Sequence, residues 1–152
     1  MISALELRAL RGATTASANS TEAIDAAVCE LVEALMGHNQ LQANQLLSIT
    51  FSVTADLDAC FPAASARRLL ACDGVALLDC QQMAVRGDLP RCIRLLAHAW
   101  METEQPSVHP YLREASRLRP DRAVAAPSHN SVTTSAGVRD PASGPAGDPA
   151  GH

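Results

Sequence analysis

The stretch LPRCIRLL, Leu89 to Leu96, sets one guanidinium, Arg94, inside an otherwise apolar run. Apolar runs go into cores, and a guanidinium cannot follow them there without an anion to meet it. Asp88 heads the run but is by position a poor candidate for that role, so the expected anion is a ligand. Three further arginines fall at the borders of expected structure. Arg11 lies in LRGATT beside Gly12, Arg67 follows Phe61-Pro62, and Arg119 sits in LRP. For Arg67, Arg68, Arg113 and Arg117 the plainer reading is an exposed surface charge or half of an ion pair. That reading is weakest for Arg94, whose neighbours are apolar, and evenly balanced for Arg11. The chemistry open to such groups is bidentate recognition of carboxylate or phosphate.

Other chemistries lack their signatures. The sequence contains no G-x-G-x-x-G, no P-loop, no H-E-x-x-H and no G-x-S-x-G. The five histidines are scattered, and His98, in an apolar segment, reads as a satisfied core or interface residue. Cysteines at 29, 60, 72, 80 and 92 are odd in number and form no C-x-x-C pair, which argues against a disulfide framework or a zinc site. These absences remove cofactor-led chemistry from the front rank. All twelve basic residues are Arg, and the formal net charge is −4, which argues against a general nucleic-acid or anionic-membrane surface. The start, MISALELRAL, carries charges too often for a signal peptide, and no segment approaches the roughly 18 apolar residues of a membrane span. A cytoplasmic protein is expected.

The elements that must position these groups can be read from pattern. The chain has 152 residues, 47% of them hydrophobic but only 3% aromatic, enough for one domain with an aliphatic core. Composition changes near Asp121. Residues 123–152 are Pro, Gly, Ala and Ser without apolar periodicity and are expected to be a disordered tail on a folded domain of residues 1–122. ALELRAL alternates as a first strand, closed by RGATT, so that Arg11 ends it. Ile24, Ala27, Val28, Leu31, Val32, Leu35 and Met36 form one helical stripe. Asn19 with Glu22 resembles a capping pair for that helix, and GHN supplies its stop. LLSITFSV and GVALLD read as strands, and FPAASARRLLA as a short helix. RCIRLLAHAW fits helix or strand. REASRLRPD alternates weakly, as a last edge strand, while Pro110 makes HPYL an edge or a loop. The sum is an α+β domain of about five strands with one long and one short helix. One sheet face is left uncovered, which self-association would fill.

The segments LRGATT, SVTADLDACFPAASARRL, LLDCQQM, GDLPRCIRLL and HPYLREASRLRPD, in order from about Arg8 to Asp121, resemble the small monofunctional chorismate mutases of the AroH class. The resemblance implies a mixed five-stranded sheet, three subunits forming a pseudo-α/β barrel, and active sites between neighbours. It implies the [3,3] rearrangement of chorismate to prephenate, a shikimate-pathway step toward phenylalanine and tyrosine, without metal, cofactor or covalent intermediate. Chorismate carries two carboxylates, and its breaking ether bond gathers negative charge, so fixed cations and a matching pocket suffice. By the family's pattern Arg94 meets the ether oxygen and a carboxylate, Arg11 a carboxylate, and Tyr111 a carboxylate through its phenol. Phe61 and Arg67, from the adjacent subunit, wall the pocket, while Leu118 and Arg119 close its mouth. Leu78, Asp79, Cys80, Gln81 and Gln82 line the floor.

Two departures from that pattern stand out. Well-known members of the family place Glu where this chain has Gln82, which can accept a hydrogen bond but carries no charge. Asp79 would restore an anion if it turned inward. Ala64 stands where some members carry Lys, removing one rim cation. Gln82 leaves open a catalytically silent homologue that binds chorismate or prephenate as a sensor or partner subunit, and a third reading is a related activity on isochorismate.

Overall fold

The computed structural model describes residues 4–122, so the expected tail lies outside the described residues. Four strands and two helices follow in the order β1 (Leu5–Thr15), α1 (Thr21–His38), β2 (Leu46–Val53), α2 (Pro62–Leu70), β3 (Ala76–Gln81) and β4 (Cys92–Glu102). The sheet order is β1-β4-β2-β3. β4 pairs antiparallel with both β1 and β2, and β3 runs parallel to β2 as an edge. The ambiguous segment RCIRLLAHAW is thus the strand between β1 and β2.

Strand alternation decides which residues reach the core. In β4, Ile93, Leu95, Ala97, Ala99 and Met101 are buried along one face, where Ala97 stands in register with Leu10 of β1 and Ile49 of β2, and Leu95 with Phe51 of β2. On that face lies α1, burying Ile24, Ala27, Val28, Leu31, Val32 and Leu35, the stripe expected from the sequence. Each fully buried Leu, Ile or Val contributes roughly 1.5–3 kcal/mol, so this helix-on-sheet layer holds the fold together. Arg94, Leu96, His98 and Trp100 alternate onto the opposite face, which neither helix covers. There Leu5, Leu7, Leu78, Leu96 and Trp100 keep 38–61% of their surface exposed.

Several expectations need correction. β1 does not close at RGATT but continues to Thr15, placing Arg11 mid-strand opposite Leu96. Gly12 is a packing glycine rather than a turn. A Cβ there would lie 3.2 Å from Leu31, Leu95 and the Pro110 carbonyl oxygen. The N-cap of α1 is Ser20, whose hydroxyl accepts from the Ala23 N–H at 3.1 Å. Asn19 instead ties the chain to the loop before α2, accepting from the amides of Asp58 and Ala59. The fifth strand is absent among the described residues: Arg113–Arg117 and Pro120–Arg122 are 3₁₀ turns, leaving Arg119 between them. What remains of the expected edge is a single bridge, Ala13 to Tyr111.

Candidate active site

One row of residues crosses the uncovered face near the C-terminal end of β1. Tyr111 bridges to Ala13, Ala13 pairs with Arg94, and Arg94 pairs with Ser52. The adjacent row carries Arg11, Leu96 and Thr50. Together Arg11, Thr50, Ser52, Arg94, Leu95 and Leu96 line a depression of about 130 Å³. The segment bearing Tyr111 is laced to β1. The Ala13 N–H donates to the Pro110 carbonyl at 2.9 Å, and the Leu112 N–H donates to the Ala13 carbonyl at 2.8 Å. The proline that cannot donate is used as an acceptor. Buried Asn39 braces the same segment from the end of α1, donating to the Val108 carbonyl and accepting from its N–H, both at 2.8 Å.

Arg94 is not unpartnered. Its Nη2 donates to Asp88 Oδ1 at 2.9 Å and its Nη1 to Oδ2 at 3.3 Å, correcting the expectation that Asp88 is badly placed. The side chains keep 15% and 20% of their surface; Arg94 lines the depression, and Asp88 lines a separate one of about 240 Å³ together with Gln82. The apolar run around Arg94 is explained by alternation: its immediate neighbours Ile93 and Leu95 face α1 while Arg94 faces away. The Asp88 hydrogen bonds strengthen the charged state of Arg94, and the guanidinium holds the Asp88 carboxyl below the usual carboxylate range.

Gln82 stands beside this row, its Oε1 accepting from the Ser52 hydroxyl at 2.7 Å. Asp79 does not join it. Its carboxylate accepts from the Ala63 N–H at 3.0 Å, at the start of α2 on the helix side of the sheet, and burial pushes its pKa up. The expected stretch Leu78 to Gln82 therefore divides: Leu78 and Cys80 alternate onto the uncovered face, Asp79 and Gln81 onto the other, and Gln82 follows the strand. A larger cavity of about 680 Å³ lies at this edge, lined by Phe61, Pro62, Ala64, Asp79, Cys80 and Gln81 among others. Phe61 is 70% exposed there at the N-cap of α2, and Arg67 is exposed on the same helix. This cavity and the Arg94 depression share no lining residue, so one chain does not bring Phe61 and Arg67 together with Arg11 and Arg94. Leu118 packs against the cluster of Ala13, Tyr111 and Ala115, while Arg119 forks onto Asp121 at 2.8 and 3.0 Å.

Sequence reasoning missed Thr50, Ser52, Asp88 and His109. The first two were legible, because LLSITFSV alternates polar residues onto one face. His109 accepts the Arg11 N–H at Nδ1, 2.9 Å, and burial with the charges of Arg122, Arg119 and Arg11 lowers its pKa, favouring the neutral acceptor. Cys92, next to the row, is buried, and burial pushes its thiol up to about 11, which disfavours the thiolate. The arrangement can bind and polarise a small anion through two guanidiniums and flanking hydroxyls.

Comparison with known proteins gives that anion a chemical class. The family model described as chorismate mutase type I matches residues 7–122. The chain is 43% identical over 117 residues to the chorismate mutase AroH of Thermus thermophilus, covering 76% of this chain and 95% of that protein. It is 33% identical over 119 residues to the chorismate mutase AroH of Bacillus subtilis (strain 168), covering 78% and 94%. The solved structure of a chorismate mutase from Clostridium thermocellum superposes with a TM-score of 0.67 at 36% identity, over 72% of this chain and 98% of that one.

Proposed function

The chain belongs to the chorismate mutase type I family, and from that premise we propose that it converts chorismate to prephenate by [3,3] rearrangement, in the biosynthesis of phenylalanine and tyrosine. The observation that carries the reading is the row on the open sheet face, with Arg94 and Arg11 about a cavity also lined by Thr50 and Ser52. Arg94 donates to the ether oxygen as its bond to carbon breaks and to a substrate carboxylate. Arg11 holds a carboxylate, with its backbone fixed by His109. Tyr111 donates its phenol to a carboxylate, and Gln82 sits against the ring. No proton moves to or from the protein. The catalysis consists of holding the folded conformer and stabilising charge on the ether oxygen.

The assembly is a homotrimer with sites between subunits. Two observations support this. A depression of 130 Å³ is smaller than the roughly 300–1,000 Å³ of typical small-molecule sites. The remaining candidate walls, Phe61, Arg67, Asp79, Cys80 and Gln81, lie at a different edge of the same chain. A neighbour presenting that edge to the Arg94 face would complete the pocket, with Leu118 and Arg119 at its mouth, and would cover the exposed Leu5, Leu7 and Trp100. Residues 1–122 form the catalytic domain, working in the cytoplasm, and residues 123–152 are an appendage without a catalytic part. No described helix is long and apolar enough to cross a membrane.

The test is loss of chorismate's ultraviolet absorbance on adding purified protein, run on the full chain and on the chain ending at Arg122. Equal turnover per subunit is expected. Binding of chorismate without turnover by the full chain overturns the reaction, and activity lost only on truncation overturns the division into domain and appendage.

A further inference from the structure

We propose that Asp88 is a positioning residue for the rearrangement: it grips the terminal fork of Arg94 and leaves the Nε–H edge of the same guanidinium to the substrate. The inference rests on the reading of Arg94 as the cation that meets chorismate. A guanidinium has five N–H donors in a rigid plane. Asp88 engages one on each Nη, and Nε makes no hydrogen bond to a described residue. The pairing therefore fixes the plane without using the donors on its other edge.

The anchor is itself anchored. Asp88 Oδ1 also accepts the Leu89 N–H at 2.8 Å, and the Asp88 N–H donates to the Val85 carbonyl at 3.1 Å, a turn that Gly87 makes possible with φ 82°. Beyond the turn, the Arg91 N–H donates to Asp56 Oδ2 at 2.8 Å, and the Arg91 carbonyl accepts from the Ala16 N–H at 2.9 Å. The Leu89 amide thus fixes the carboxylate, and the bonds on either side fix the backbone that carries it. Neither other candidate does this. Gln82 is neutral and bonded to Ser52, and Asp79 is bonded to the amide of Ala63 on the helix side. Among the described residues, Asp88 is the carboxylate bonded to Arg94.

Positioning and mere competition are separated by kcat. Asp88 partly neutralises Arg94, so removing it does not weaken the ground-state attraction for a dianion. What is lost is alignment of the Nε–H edge with charge that develops only in the transition state, and that loss appears in kcat. Misplacement of about 1 Å costs up to about 100-fold.

In the full-length chain, Asp88→Asn should lower kcat about 10- to 100-fold, with KM unchanged or lower. Asp88→Glu, which returns the charge one methylene further out, should recover part of the loss. Combined with Arg94→Lys, Asp88→Asn should add less than its own factor, since it acts through that side chain. Wild-type kcat in Asp88→Asn overturns the proposal; unchanged kcat with a lowered KM does so in favour of a carboxylate that merely competes with substrate. Should Asp88→Asn unfold, Asp88→Glu carries the test: reduced kcat supports positioning and wild-type kcat refutes it. An inactive wild-type chain defeats the assignment of the reaction instead, and full activity in Arg94→Ala defeats the role of Arg94.

Discussion

Replacing Arg94 by Ala removes the cation on which the proposed chemistry turns. Loss of one preorganised donor to a developing oxyanion removes about 3–4 kcal/mol of transition-state stabilisation. At 1.36 kcal/mol per decade that is about 10²- to 10³-fold in kcat. The stability cost is smaller. The Arg94 and Asp88 side chains keep 15% and 20% of their surface, and Asp88 retains its bond from the Leu89 amide once Arg94 is gone. A largely covered, hydrogen-bonded pair of this kind contributes about 1–2 kcal/mol, a melting shift of several degrees. The pair also leaves a pH signature. Asp88 has a depressed folded-state pKa, chiefly through its hydrogen bond with Arg94. Its contribution to stability is therefore present above the unfolded carboxyl's pKa and lost as pH falls through the folded value. Arg94→Ala should accordingly lose less stability on acidification than wild type. The assay is chorismate absorbance under saturating substrate, beside thermal melts at acid and neutral pH. Turnover within a few-fold of wild type, in a variant that melts normally, would refute the reasoning.

Gln82→Glu should raise kcat by roughly fivefold, because a charged acceptor is worth about 1 kcal/mol more than a neutral one; a lower rate in steady-state assays would show that Gln82 donates instead of accepting. Thr14→Val should stabilise the fold by about 1 kcal/mol in urea titrations, because the fully buried Thr14 hydroxyl has no partner among the described residues; destabilisation would mean that the hydroxyl is satisfied in solution. Asp79 has a folded-state pKa raised by burial, so its contribution is fully present below the unfolded value and lost as pH rises through the folded one. Asp79→Asn, which keeps an oxygen for the Ala63 amide, should gain stability relative to wild type as pH rises above about 4, the unfolded carboxyl's value, and a difference that moves the other way in melts would exclude burial as the dominant cause.

What the sequence revealed and what it hid have separate physical causes. The helix stripe from Ile24 to Met36 was legible because a long apolar face at helical spacing has one sensible fate, burial against a sheet. The strand from Cys92 was not, since a run of ten residues with few polar interruptions suits either period; its pairing with two flanking strands decided the matter. Gly12 and the threonines after it looked like a turn because glycine usually marks one. Here it marks the close approach of Leu31, Leu95 and Pro110, a tertiary fact with no local signature. REASRLRPD failed differently. Weak alternation over nine residues carries little information, and the segment starts with Arg113 at φ 51°, a conformation incompatible with an extended strand. For the site, residue types were readable and partners were not. Arg94 announced itself by its neighbours, whereas its pairing with Asp88 depends on a turn through Gly87 that folds the chain back over six residues.

The same alternation that hides Ile93, Leu95 and Ala97 under α1 also lays two different surfaces along the back of the sheet. Near the start of β4 the back face is polar, with Arg94 flanked by Ser52 and, one row on, Arg11 and Thr50. Six residues further along the strand, about 20 Å away, it is apolar, with Trp100 opposite Leu7. A face that is apolar at one end and cationic at the other is poorly suited to bulk water at both. The apolar end exposes side chains that gain by burial, and the cationic end holds a shallow depression whose guanidiniums stay partly hydrated. Packing the first against a second copy would bring the α2 edge of a neighbour toward the second, excluding water from Arg94 and Arg11. In that arrangement the association that stabilises the subunit is also what lowers the local dielectric around its cations. Self-association and catalysis would then draw on one surface, with the division between them set by the register of a single strand.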